Sequence, residues 1–105
     1  MFLINEPLIK SVNLTNENVV MIVWEAYWYQ EDVDELMTKV FQALGEVNII
    51  ENMQGADRTN IRFNYKTRHF SLNFECYSQS CWVEPEDELS AVLNTEIAQS
   101  IMLLL

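Results

Sequence analysis

Residues 19–29 read VVMIVWEAYWY and run through Gln30 into EDVDELMTKVFQALG at 31–45. The first segment holds one charge among eleven residues, with β-branched side chains at its start and aromatics at its end. That pattern predicts a strand covered on both faces. Alternation puts Val20, Ile22, Trp24, Ala26 and Trp28 on one face and Val19, Met21, Val23, Glu25 and Tyr27 on the other. Glu25 is the lone acid there, and a carboxylate in a covered strand must find a partner or titrate high. The second segment predicts a helix. Val33, Leu36, Met37, Val40, Phe41 and Leu44 recur at helical spacing, Asp32 and Glu35 have the spacing of a capping box, and Gly45 follows as a stop.

Outward from this pair, Leu8, Val12 and Leu14 alternate with polar residues after Pro7, which predicts an edge strand joined to residues 19–29 as a hairpin. Residues 47–53 predict another strand, ended by Gln54-Gly55-Ala56-Asp57. Either a parallel crossover unit or a wholly antiparallel sheet accommodates it. The clearest hairpin is 60–77. Ile61, Phe63 and Tyr65, then Phe70, Leu72, Phe74 and Cys76, alternate with polar neighbours. A turn at Thr67-Arg68 pairs Tyr65 with Phe70, Phe63 with Leu72 and Ile61 with Phe74, all inward. The same parity sends Cys81 and Val83 inside and Trp82 outside, beside Glu75. Pro85 then opens a second helix with the stripe Leu89, Val92, Leu93, Ile97, Ile101 and Leu104. The fold class is therefore α+β: one domain over 1–105, an antiparallel or mixed sheet of five to six strands, and two helices.

Composition narrows the function. The net charge is −10, from six Lys and Arg against sixteen Asp and Glu, which disfavours nucleic acid as a partner because phosphate binding needs cations. Half of the acids open the two predicted helices, where the helix dipole favours carboxylates. The amino end has neither the basic start nor the apolar run of an export signal, no stretch approaches the length of a membrane span, and two cysteines do not make a disulfide scaffold. A cytoplasmic setting without membrane partners is expected. With two glycines, no phosphate-cradling loop and one histidine on the face opposite Cys76 and Cys81, no cofactor or metal is expected.

The run Gly55-Ala56-Asp57-Arg58, followed by Glu75-Cys76-Tyr77-Ser78 and Cys81-Trp82-Val83-Glu84, resembles a small gammaproteobacterial family of unknown function over roughly residues 50–90. The resemblance implies a bacterial cytoplasmic protein and brings no activity with it.

The outward hairpin face is the candidate site. Arg58, Arg62, Lys66 and Arg68 are four of the six cations, so residues 58–69 carry +4 and the rest of the chain −14. Arg58, Arg62, Glu75, Tyr77 and Trp82 together have the residue types that dominate protein interfaces. The expected function is a non-catalytic protein-binding or self-associating module, with a protein partner or a homodimer. The alternative is a small enzyme using Glu25, Asp57, Glu75 and His69.

Overall fold

The computed structural model describes residues 7–105. The expectation of a leaderless amino end rests largely on residues 1–6, which lie outside the described residues. Six strands, β1 (Ile9–Leu14), β2 (Val20–Trp24), β3 (Asn48–Gln54), β4 (Arg58–Tyr65), β5 (Arg68–Glu75) and β6 (Ser80–Pro85), form one sheet in the order β1-β2-β6-β5-β4-β3. Every neighbouring pair is antiparallel. The helix α1 (Val33–Leu44) carries the chain from β2 to β3 at the opposite edge, so no parallel crossover pair arises. The fold is α+β, as the hydrophobic periods predict.

The core lies on one face. Val20, Ile22, Trp24, Ile61, Phe63, Phe70, Leu72, Phe74, Cys81 and Val83 are buried there, with Leu36 and Val40 of α1 and Ile97 and Ile101 of α3 (Asn94–Met102). Phe63 stacks on Phe70 and meets Phe41 edge to face. The central pair is β6 and β5. β2 is not the doubly covered strand expected: it ends at Trp24, one place in from an edge, and Val23 on its other face is exposed. Its inner face nonetheless keeps the predicted parity. Glu25 sits in an exposed bend just past the strand end, where water solvates its carboxylate.

Two local corrections have clear causes. In β1 the register shifts between Ile9 and Ser11, so Ile9 and Val12 both face inward and Leu8 is exposed; Leu14, opposite Val20 at the strand end, keeps the parity of Val12 yet stays exposed. An extra residue in an edge strand reverses the parity beyond it. In the β4–β5 hairpin the turn is Lys66-Thr67, both in the left-handed region at φ 50° and 64°. Such a pair matches the twist of a two-residue hairpin. It moves the register to Tyr65–Arg68, Phe63–Phe70 and Ile61–Leu72, two places from the expected pairing but with the same faces inward.

The turn is held from outside itself. Lys66 Nζ lies 2.7 Å from Glu96 Oε2 of α3 and 5.5 Å from the centre of the Tyr65 ring, and Tyr65 donates its hydroxyl to the same Glu96 oxygen at 2.6 Å. A β-branched residue at positive φ is strained. Thr67→Gly, which leaves Lys66 in place, is expected to stabilise the protein by about 1 kcal/mol and raise the melting temperature by about 4–8 °C. A lower melting temperature by calorimetry would show that the turn carries no such strain.

The predicted second helix is broken in two. Pro85 ends β6, Asp87 caps the short α2 (Glu88–Ala91) by accepting the Ser90 N–H at 2.7 Å, and α3 follows after a turn at Val92-Leu93. Two polar anchors force the bend. Ser90 Oγ accepts the His69 N–H at 2.8 Å, and Asn94 donates to the Asn18 carbonyl in the β1–β2 turn at 2.5 Å. Leu89 and Val92 are therefore exposed, whereas Ile97, Ala98 and Ile101 reach the core. Of the apolar carboxyl end, Leu104 packs against the core and Leu103 and Leu105 stay in solvent.

These anchors make stability sensitive to acid. The Ser90 hydroxyl and N–H hold Asp87 below the usual carboxylate range, and Lys66 with the Tyr65 hydroxyl does the same for Glu96. A depressed folded-state pKa contributes stability that is present above the unfolded value and is lost as pH falls through the folded one. Melting temperatures of the wild type should therefore fall from about pH 5 downward more steeply than those of Glu96→Gln. Identical acid limbs would exclude Glu96 from the effect.

Candidate binding face

Because α1 and α3 both pack on the inner side, the alternate residues of β2 to β6 form the opposite face. Register brings them into rows. One row runs Met21, Trp82, Asn73, Asn60 and Met53 across β2, β6, β5, β4 and β3. The next runs Glu84, Ser71, Arg62 and Glu51, and a third has Ser80, Glu75 and Arg58.

The middle of this face is a connected polar network. Asn60 Nδ2 donates to Asn73 Oδ1 at 2.6 Å, and Asn73 Nδ2 donates to Ser71 Oγ at 3.0 Å and, more weakly, to Glu84 Oε1 at 3.4 Å. The Trp82 indole N–H reaches the same Glu84 oxygen at 3.3 Å. Ser71 and Asn73 are buried by their long neighbours although no helix lies over them. Hydrogen bonding within the network is what makes that burial tolerable. Trp82 is half-buried, with its body between Met21 and Asn73.

Three of the four cations that suggested a positive stripe are paired with an acid. Arg62 forms a fork on Glu86 at 2.7 and 3.2 Å and lies 3.8 Å from Glu51, which holds its pKa above the usual guanidinium value. Arg58 is 3.3 Å from Glu75, its direct cross-strand partner, and Lys66 is tied to Glu96. These pairs are solvent-facing and contribute little to stability. Their effect is on recognition, since they cancel most of the field that an acidic partner would follow.

The structure thus brings Arg58, Arg62, Glu75 and Trp82 onto one face. Tyr77 stands apart, at the tip of the Cys76–Gln79 turn and 85% exposed. Arg58 meets Glu75 rather than Tyr77, and Trp82 meets Asn73 rather than Glu75, both consequences of where the two hairpin turns fall. Asn60, Ser71, Asn73 and Glu84 are the members that sequence reasoning missed. Their outward parity was legible; their convergence required the register.

The residues of the enzymatic alternative do not converge. His69 and Glu75 lie six positions apart on β5, about 20 Å at strand rise. His69 Nδ1 is instead 2.6 Å from Asn64 Oδ1. Among the described residues no three His, Cys, Asp or Glu side chains group as metal ligands do. Both cysteines are free thiols; Cys81 faces Phe74 rather than Cys76, and burial pushes its pKa up to about 12. Among the described residues, no helix is long and apolar enough to cross a membrane.

No curated protein and no solved structure matches the chain. A family model does, over residues 9–99, a longer span than the roughly 50–90 of the resemblance. The chain belongs to the family described as Protein of unknown function (DUF3630).

Proposed function

We propose that the chain is a non-catalytic protein-binding module that docks a partner on the open sheet face, with Trp82 as the anchor and Arg58, Arg62 and Glu75 on the rim. The observation that carries the reading is a tryptophan left partly accessible to solvent, on the side of the sheet opposite α1 and α3, beside Met21 and Val23. A flat apolar strip next to satisfied amides suits a partner that presents an apolar or aromatic knob with hydrogen-bonding surroundings. With its cations already paired, the face selects by shape and burial more than by charge. Tyr77 at the neighbouring tip extends the contact to a partner that overhangs the β5–β6 turn. We place the module in a bacterial cytoplasm, on the support of its free thiols, which suit a reducing compartment, and of the motif resemblance.

The test is affinity capture from bacterial lysate with wild type and Trp82→Ala, followed by calorimetric titration of whichever partner is retained. Trp82→Ala should weaken that complex by about 30-fold, the loss of a strong interface anchor, while circular dichroism stays unchanged. The same partners bound at the same affinity by the variant would remove this face from consideration.

A further inference from the structure

We draw no further inference here: the strongest candidate, the groove of about 300 Å³ between the β1–β2 turn and α2, is a cluster of acids in which Glu86 already engages Arg62 and Asp87 already caps α2, and nothing in the structure shows what would fill it.

Discussion

Trp28→Ala is expected to lower the unfolding free energy by about 3–5 kcal/mol, a large part of the stability of a domain this size. Trp28 belongs to no strand or helix; it lies in the link between β2 and the 3-10 turn at Gln30–Asp32 that leads into α1. Yet it is 1% exposed, and its ring meets Phe74 edge to face at 5.6 Å. Removing it opens a cavity beneath the inner face of β5 that surrounding backbone can only partly close. Urea denaturation of the purified variant measures the loss. A change under about 1 kcal/mol would mean that the link collapses into the space, and that Phe74 does not depend on its partner.

Gln79→Ala is expected to cost about 2–4 kcal/mol by a different route, although it removes little apolar surface. The Gln79 side-chain amide behaves like a short piece of strand. Its Oε1 accepts the Trp28 N–H at 3.0 Å, and its Nε2 donates to the Trp28 carbonyl at 2.8 Å and to the Cys76 carbonyl at 2.9 Å. Truncation strands the N–H of a buried residue and leaves its carbonyl only the weak Cys76 thiol donor at 3.8 Å, and each unsatisfied group costs about 1–3 kcal/mol. Gln79 also holds a positive φ of 55°. Gln79→Gly therefore removes the clamp and relieves the backbone, and should be destabilised less than Gln79→Ala. Equal stability of alanine and wild type would show that water substitutes for the amide.

Sequence periodicity carried the inner face almost entirely. Ile61, Phe63, Tyr65, Phe70, Leu72, Phe74, Cys81 and Val83 are all buried together, because a period of two admits only one face per strand. The α1 stripe followed for the same reason at helical period. What periodicity could not convey was register, since a slip of two places preserves every inward residue. The slip was decided by Lys66 and Thr67, which lack the Gly or Asn that usually marks a left-handed turn and are fixed there by Glu96 of α3. The polar network of Asn60, Asn73 and Glu84 was hidden for that reason. The break between α2 and α3 was hidden for another: Leu89 and Val92 fit the helical stripe, and only the distant partners of Ser90 and Asn94 turn them away from the core.

The strand order also divides the molecule along its length. β3 to β6 form an unbroken meander of sequence neighbours, whereas β1 and β2 form their own hairpin and join it through β6, at Val20–Val83 and Met21–Trp82. Those junctions connect residues about sixty positions apart, across the costliest loop to close, and the ladder there is the shortest in the sheet. The meander can therefore assemble as a unit before the amino-terminal hairpin is stitched on, and the seam between them is where the native protein parts first when it breathes.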